Sequence, residues 1–234
     1  MRTFPVNLDL RGRRCVVVGG GPVAQRKVTA LLRCGAAVRV ISPRLTPRLG
    51  RWASAGRIGW TPRPLRRGDL RGATLVFGAT DDARTNQRLA AEARRAGILV
   101  NVADTPGCCD FFMPAVVRRG ELVVGISTGG NSPALARRLR EELGRSLGPE
   151  YRLLVRLLGR ARTRVLAVRQ GPRANRALFT GLVRSPLLDE IRAARWQEVD
   201  RLLARHVGDG VTLASLGFRI PEGDSRAGSG TGRA

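Results

Sequence analysis

Small residues at three positions, Gly19, Gly21 and Ala24, have the spacing of the dinucleotide-binding turn G-x-G-x-x-[G/A]. Gly19 permits a tight turn after a strand, and Gly21, which has no Cβ, lets a pyrophosphate approach the backbone. Ala24 is small enough for the next helix to pack closely on the strand. Pro22 suits the first turn of that helix, where no backbone N–H is needed. The pattern therefore predicts phosphate binding at a helix N-terminus.

The acidic residue that usually accompanies this turn is missing. It is expected about 20 residues further on, at the end of the second strand, where it binds the ribose. Ser42, Pro43 and Arg44 occupy that place. Because an arginine there suits a 2′-phosphate, the local rule indicates NADP.

Two further segments can do chemistry. Asp104 follows the fifth predicted strand, where a carboxylate can act as a general base, bind a metal, or simply cap a helix or complete a loop. Residues 127–132 read Ser-Thr-Gly-Gly-Asn-Ser, which can cradle an anion or form a plain strand-to-helix turn. The single histidine, His206, lies near a predicted helix C-terminus, where it meets the helix dipole. A Ser-His-Asp triad and a His-rich metal site are therefore excluded.

The elements that must position these residues alternate in the first half of the chain. Strands are predicted near residues 14–18, 37–41, 57–61, 74–79 and 98–103. Helices are predicted near residues 22–34, 44–55 and 82–96. This order is typical of a parallel sheet with helices on its faces, so the predicted fold class is α/β and Rossmann-like.

The pattern changes after Asp104. Two apolar runs, 114–118 and 122–127, predict a hairpin. Ser132 is expected to cap the helix that follows. From Tyr151 to about Val207 the pattern is helical, with interruptions at Gly171-Pro172 and Ser185-Pro186.

Charge narrows the class of ligand. The 234 residues include 42 basic and 18 acidic ones, for a formal net charge of +24, and Lys27 is the only lysine. This field favours polyanionic ligands, although it can also be a solvated arginine-rich surface. Nucleic acid is not expected as a partner, because the ten aromatic residues are scattered rather than interleaved with the basic ones.

The sequence shows no signal-peptide or membrane-span pattern, and its four cysteines show no disulfide or metal-binding pattern. No apolar segment of signal-peptide length follows the N-terminal charges, and no run is long enough to span a membrane, so we expect a cytoplasmic protein with no membrane partner. The cysteines fit no disulfide framework, and Cys108-Cys109 lacks a C-x-x-C metal spacing. Cys15 and Cys34 are expected to be small core residues.

Five segments, in their order and spacing, resemble the precorrin-2 dehydrogenase family, which forms the dehydrogenase and ferrochelatase portion of siroheme synthases. They are GGGPVAQRKVTALLRCGAAVRVISP at 19–43, ATDD at 79–82, NVADTP at 101–106, DFFMPA at 110–115 and STGGNSPALARRLR at 127–140. The resemblance extends from residue 1 to about residue 207. The family's methyltransferase domain has no counterpart in these 234 residues.

The resemblance implies an activity and a cofactor. Family members oxidise precorrin-2 to sirohydrochlorin with NAD⁺, and many also insert Fe²⁺ to form siroheme. The resemblance therefore implies the oxidation for this chain and leaves open whether it also inserts iron. The family's catalytic aspartate corresponds to Asp104, which would also meet the metal in a chelatase. Because the family uses NAD without a ribose acid, NAD is expected despite Arg44. The residues expected to bind it are Gly19, Gly21, Pro22, Val23, Ser42, Pro43 and Thr80.

The resemblance also implies a substrate site. The tetrapyrrole is a polycarboxylate with which arginines can pair in bidentate fashion. The candidate arginines are Arg118, Arg119, Arg137 and Arg138. Thr128, Gly129 and Asn131 are expected to bind the substrate. Thr128 stands where the family often has a serine, which leaves control by that hydroxyl open.

The same resemblance implies a homodimer with three regions. They are an NAD-binding Rossmann-like domain at 1–112, a dimerisation region at 113–148 and a helical domain at 149–220. Residues 221–234 are rich in glycine, serine and arginine, a composition that predicts a disordered tail. The alternative function is a non-catalytic NAD-sensing regulatory subunit. Such a subunit would keep the glycine turn but would not require Asp104 or the 127–133 turn.

Overall fold

The computed structural model describes residues 3–167 and 171–219. The chain forms two compact units, Met1–Met113 and Pro114–Ala234. The finer division of the second unit into a dimerisation region and a helical domain stays a prediction. The predicted disordered tail, 221–234, lies outside the described residues.

The first unit is built on a five-stranded parallel sheet, which confirms the α/β prediction. Its strands are β1 Arg14–Val18, β2 Ala37–Ile41, β3 Gly59–Thr61, β4 Leu75–Gly78 and β5 Leu99–Val102. Their spatial order is β3-β2-β1-β4-β5, and every neighbouring pair is parallel. The order reverses between β1 and β4, which is where open α/β sheets bind their ligands.

Helices cover both faces of this sheet. They are α1 Pro22–Arg33, α2 Pro47–Ser54 and α3 Ala83–Arg95. Val17 of β1 packs with residues of α1 and α2, whereas Val16 and Val18 pack with residues of α3. Successive strand residues point to opposite faces, so a strand covered on both sides is apolar throughout. The run Cys15–Val18 has this composition and is buried.

Local signals set most boundaries in the first unit. Gly35 and Gly97 adopt left-handed backbone conformations (φ +70° and +66°) just after α1 and α3, as glycines that end helices do. The helix predicted from residue 44 begins at Pro47, because Thr46 caps it by accepting a hydrogen bond from Leu49 N at 3.4 Å. Burial raises the pKa of Cys15 to about 11, as expected for an inert core thiol.

The second unit begins with the predicted hairpin. Strands β6 Ala115–Arg119 and β7 Leu122–Ile126 pair antiparallel, with Gly120 at φ +64° in the turn. Helix α4 Pro133–Ser146 follows, and Ser132 caps it by accepting a hydrogen bond from Leu135 N at 3.2 Å. The cap was predicted, because a hydroxyl before a helix satisfies a free backbone donor.

Four more helices share a separate core. They are α5 Glu150–Ala167, α6 Pro172–Arg184, α7 Leu187–Arg192 and α8 Trp196–Val207. Leu157, Leu182 and Leu203 are fully buried among them. The break between α7 and α8 was not predicted, because Ala194 adopts a left-handed conformation (φ +54°) without a glycine or proline nearby. Among the described residues, no helix is long and apolar enough to cross a membrane.

Candidate functional site

A cleft of about 460 Å³ lies at the carboxyl ends of β1, β2 and β4. It is lined by three loops, at residues 19–23, 42–46 and 79–81. The cleft occupies the point where the strand order reverses, as expected for a ligand site in this class of sheet. The structure brings together in its lining all seven residues predicted to bind the cofactor: Gly19, Gly21, Pro22, Val23, Ser42, Pro43 and Thr80.

The glycine turn owes its shape to close backbone contacts. Gly19 has φ +117°, and a Cβ there would lie 2.1 Å from the carbonyl oxygen of Ala79. A Cβ on Gly20 would lie 1.9 Å from the carbonyl oxygen of Arg44. A Cβ on Gly21 would meet nothing within 4 Å. Gly21 therefore borders open space. Gly20, which the sequence analysis did not single out, packs directly against the backbone of the second loop.

The N-terminus of α1 suits an anion. Gly21 is its N-cap, no side chain caps the helix, and the first turn contains no acidic residue. The backbone donors of a first turn and the positive end of the helix dipole favour negative charge. Ala24 is fully buried, so α1 lies close to the sheet.

The second loop is held in place by side chains of its neighbours. Ser42 Oγ donates to the carbonyl oxygen of Arg44 at 2.7 Å. The indole N–H of Trp60 donates to the carbonyl oxygen of Ser42 at 3.0 Å. Thr46 Oγ1 donates to Gln25 Oε1 on α1 at 2.7 Å. No acidic side chain lies in this loop, and the exposed Arg44 lines the cleft.

The third loop is joined to α3. Asn86, which is buried, donates through Nδ2 to the carbonyl oxygen of Thr80 at 2.9 Å. Thr80 Oγ1 donates to Asn86 Oδ1 at 3.0 Å. Asp82 caps α3 by accepting hydrogen bonds from the backbone of Arg84 and Thr85. The hydrogen bond from the Thr85 hydroxyl holds the pKa of Asp82 below its usual value. This loop therefore has a defined conformation at the cleft.

Asp104 lies two residues beyond the end of β5, at the same edge of the sheet. The backbone N–H of Ala103 donates to the carbonyl oxygen of Gly78 at 2.9 Å, which keeps this segment beside β4. Asp104 is exposed and has φ +56°, a left-handed conformation that is uncommon outside glycine. It does not line the 460 Å³ cleft. Its predicted catalytic role stays a prediction.

Residues 103–109, here called the Asp104 loop, are closed at their base by polar contacts. Val100 N donates to Asp110 Oδ2 at 3.1 Å, and Asp110 N donates to the carbonyl oxygen of Val100 at 2.8 Å. The Cys109 thiol accepts from Val102 N and donates to the carbonyl oxygen of Val102, both at 3.2 Å. Asn101 Nδ2 donates to the carbonyl oxygen of Phe111 at 2.9 Å. The sequence analysis missed these contacts.

Lys27 of α1 reaches the base of the Asp104 loop. Its Nζ donates to Asn101 Oδ1 at 3.0 Å and to Met113 Sδ at 3.3 Å, and lies 5.4 Å from the ring centroid of Phe77. Burial lowers the pKa of Lys27 below its usual value. The signal in the sequence was that this residue is the only lysine.

Potential metal ligands do not form a cluster in the described part of the chain. Among the described residues, no group of three His, Cys, Asp or Glu side chains could hold a metal ion. Cys109 is engaged with the backbone of Val102. Asp104 is the one residue that the sequence analysis predicted to contact iron.

The 127–132 turn of the second unit is held by its own hydroxyls. Thr128 Oγ1 donates to the carbonyl oxygen of Ser132 at 3.0 Å and accepts from Ser132 N at 3.1 Å. Gly129 and Gly130 have left-handed φ values of +61° and +86°. Asn131 is exposed. The Thr128 hydroxyl is therefore occupied within the turn, whereas Asn131 and the glycines face solvent or are half-buried.

The four arginines proposed for substrate carboxylates have different surroundings. Arg119 donates to the carbonyl oxygens of Gly144 and Leu147, both at 2.6 Å, and so completes the C-terminus of α4. Exposed ion pairs join Arg137 to Glu141 and Arg138 to Glu142. Arg118 is exposed. Arg119 is therefore a structural residue, because its fork is already bonded to the backbone.

A second, open depression of about 730 Å³ lies along α6. Its lining residues all belong to that helix and include Arg173, Arg176 and Arg184. Ligand sites are usually concave and enclosed by several elements. The cleft in the first unit, which three loops enclose, is therefore the better candidate.

Comparison with known sequences places the chain in a family. A profile of an NAD(P)-binding family matches residues 6–115. A profile described as sirohaem biosynthesis protein, central, matches residues 119–146. The siroheme synthase of Nitrosococcus oceani is 37% identical over 203 residues, which are 87% of this chain and 43% of that protein.

The chain belongs to the precorrin-2 dehydrogenase family, whose members also form the N-terminal part of siroheme synthases. The siroheme synthase of Methylobacillus flagellatus is 45% identical over 143 residues, or 61% of this chain and 31% of that protein. The chain thus spans less than half the length of these relatives. The solved structure of SirC, a precorrin-2 dehydrogenase, is 26% identical with a TM-score of 0.71, over 85% of this chain and 100% of SirC.

Family membership confirms the resemblance found in the sequence. The first unit of this precorrin-2 dehydrogenase family member is an NAD(P)-binding domain, and the three-loop cleft is its candidate nucleotide site. The roles of individual residues in that cleft, of Asp104 and of the 127–132 turn stay predictions.

Proposed function

We propose that this protein oxidises precorrin-2 to sirohydrochlorin and transfers the hydride to NAD⁺. The observation that carries this proposal is the three-loop cleft at the point where the strand order reverses, lined by all seven predicted cofactor residues. The likeness to SirC, a precorrin-2 dehydrogenase whose whole length the chain covers, supplies the substrate class.

The cleft fits a dinucleotide. Gly21 leaves open space beside the uncapped N-terminus of α1, which suits the pyrophosphate. Ser42, Pro43 and Thr80 line the same cleft and would hold the rest of the cofactor. NAD⁺ supplies the hydride acceptor when bound. The protein supplies orientation, because hydrogen bonds to neighbouring segments fix the three loops.

The proposed cofactor is NAD rather than NADP. The family resemblance supports NAD, and Arg44 supports NADP by the local rule. Arg44 is exposed, and the side chain of Ser42 holds its carbonyl oxygen. What is fixed at this position is therefore the backbone, not the guanidinium. An exposed arginine is weak support for recognition of a 2′-phosphate.

Asp104 is the proposed proton acceptor. When a hydride leaves a carbon of the reduced macrocycle for NAD⁺, one proton must also leave the macrocycle. The exposed carboxylate of Asp104 stands at the carboxyl edge of the sheet, and the first unit contains no histidine to compete with it. A positioned carboxylate can take the proton as a general base.

The substrate carries many carboxylates, which the net charge of +24 would attract. Within the second unit, Arg118 has an exposed side chain, and Gly129 and Asn131 lie on the turn before α4. These groups are the proposed contacts, with Thr128 holding the turn closed. Arg119 is not proposed again, because it caps α4.

Iron insertion is a second activity that the same site can support. Fe²⁺ would be a substrate, the two pyrrole protons that it displaces need an acceptor, and Asp104 is the proposed one. The assay that tests both activities is anaerobic incubation of the protein with precorrin-2 and NAD⁺, with and without Fe²⁺. We expect NADH and sirohydrochlorin to form together. Binding of NAD⁺ without turnover would instead indicate a regulatory subunit.

The proposed assembly is a homodimer formed by residues 113–148. Val116, Leu135 and Leu143 in this region are 39%, 47% and 36% exposed. A two-stranded sheet is marginally stable alone and benefits from a covering surface. Light scattering should therefore give roughly twice the chain mass of 25.3 kDa, and Leu135→Asp should shift it toward the monomer. A mass near 25.3 kDa for the unmodified chain would contradict the proposal.

A further inference from the structure

The only lysine of a chain with 42 basic residues lies half-buried beside the proposed catalytic loop. We infer that Lys27 is a positioning residue: its ammonium group holds Asn101 and, through Asn101, fixes the base of the Asp104 loop. This inference rests on the proposed catalytic role of Asp104. Lys27 would thus contribute from α1 to a catalytic site whose other residues come from the segment after β5.

The first link is between Lys27 and Asn101. An ammonium group has three donors and no acceptor, so the Asn101 side chain must turn its oxygen toward it. Lys27 Nζ lies 3.0 Å from Asn101 Oδ1. The amide nitrogen then points away and donates to the carbonyl oxygen of Phe111 at 2.9 Å. Lys27 therefore selects the amide orientation that ties β5 to Phe111.

The second link is across the base of the loop. Three consecutive residues, Val100, Asn101 and Val102, form hydrogen bonds across the base of the loop, and Asn101 is the central one. On its two sides, Val100 pairs with Asp110 and Val102 pairs with Cys109. These three ties hold the ends of residues 103–109 together. The left-handed backbone of Asp104 (φ +56°) needs such support, because sparsely populated conformations persist only when their surroundings determine them.

The surroundings of Lys27 make its contacts strong. The ammonium lies 5.4 Å from the ring centroid of Phe77 and 3.3 Å from Met113 Sδ. Phe77 in turn packs edge-to-face against Phe111, with ring centroids 5.4 Å apart. Hydrogen bonds strengthen where water is partly excluded, and cations are attracted to aromatic faces. Burial lowers the pKa of Lys27, which is consistent with this partly desolvated position.

Lys27 also connects the loop to the cofactor helix. It lies in the second turn of α1, whose first residues line the cleft. The glycine turn is held separately, by the contacts of Gly19 and Gly20 with Ala79 and Arg44. Loss of the ammonium should therefore disturb Asp104 and spare NAD⁺ binding. That split separates a positioning role from general loss of structure.

The test compares Lys27→Met with Lys27→Arg and with Arg33→Met, a matched control that removes an exposed charge from the last turn of the same helix. We expect Lys27→Met to lower kcat about tenfold or more, since small misplacements of catalytic groups have effects of this size. NAD⁺ affinity and KM should stay within about twofold. Lys27→Arg, which keeps charge and donors, should recover most of the loss.

A second readout does not depend on turnover. Amide hydrogen exchange at Val100, Val102 and Asp110, whose N–H groups bond across the loop base, should be faster in Lys27→Met. It should be unchanged in Arg33→Met. If Lys27→Met does not fold, as judged by circular dichroism, Lys27→Gln takes its place, because it removes the charge but keeps a polar side chain with hydrogen-bond donors.

The two readouts separate the inference from the proposed function. Wild-type kcat in folded Lys27→Met would overturn the inference, as would unchanged exchange at Val100, Val102 and Asp110 in that variant. Failure of Lys27→Arg to recover activity would overturn the role of the ammonium as a charged donor. If the wild-type protein does not oxidise precorrin-2, the proposed function fails. The exchange rates then still decide whether Lys27 holds the loop.

Discussion

The three-loop cleft and the Asp104 loop lie at the same edge of one sheet, but different parts of the chain shape them. In the cleft, backbone meets backbone: Gly19 lies against Ala79, and Gly20 against Arg44. At the base of the Asp104 loop, the side chains of Lys27, Asn101 and Cys109 hold the backbone.

The difference predicts how each region fails. A side chain added to the cleft either collides with backbone or occupies the cofactor's place. Removal of a side chain that holds the Asp104 loop should leave the fold intact but loosen the backbone of the loop. The cleft should therefore control cofactor affinity, and the Asp104 loop should control turnover.

The largest effect is expected for Gly21→Asp. A Cβ at Gly21 meets nothing within 4 Å, so the variant should fold, but its carboxylate would occupy the place of the pyrophosphate. Calorimetric titration should show no NAD⁺ binding.

Gly20→Ala is the matched control for that variant. Its Cβ would lie 1.9 Å from the carbonyl oxygen of Arg44, so it should lower the free energy of unfolding by about 1–3 kcal/mol. Unchanged NAD⁺ affinity in folded Gly21→Asp would move the cofactor site elsewhere.

Asp104→Ala should have the next largest effect, on turnover alone. Loss of a positioned general base typically lowers the rate by roughly 10²-fold or more. NAD⁺ affinity should barely change, because the glycine turn is intact. Stopped assays of NADH formation measure this. Loss of NAD⁺ binding instead would make Asp104 part of the cofactor site and remove the contrast between the two regions.

Cofactor preference is a smaller expected effect. The kcat/KM for NAD⁺ should exceed that for NADP⁺ about tenfold, or roughly 1.4 kcal/mol. Arg44→Ala should leave this ratio nearly unchanged, because the exposed guanidinium is not held in the cleft. A tenfold preference for NADP⁺ that Arg44→Ala abolishes would show that Arg44 reads the 2′-phosphate.

Much of the first unit could be predicted from local sequence. The five strands and three helices were predicted within a few residues of their bounds, because buried apolar runs and helix-ending glycines are local signals. The start of α2 was predicted three residues too early, since the loop at 42–46 packs against Gly20. The break at Ala194 was missed, because no local residue type marks it.

Sequence by itself determined the fold class, the family and seven of the residues that line the cleft. Those features depend on turn chemistry, hydrophobic periodicity and ordered motifs, all of which are properties of neighbouring residues. Only the tertiary structure decided that Gly20 meets Arg44, that Arg119 caps α4, and that Lys27 holds Asn101, 74 residues away. Such contacts join distant parts of the chain and depend on the angle at which helices and strands pack, which no local pattern encodes.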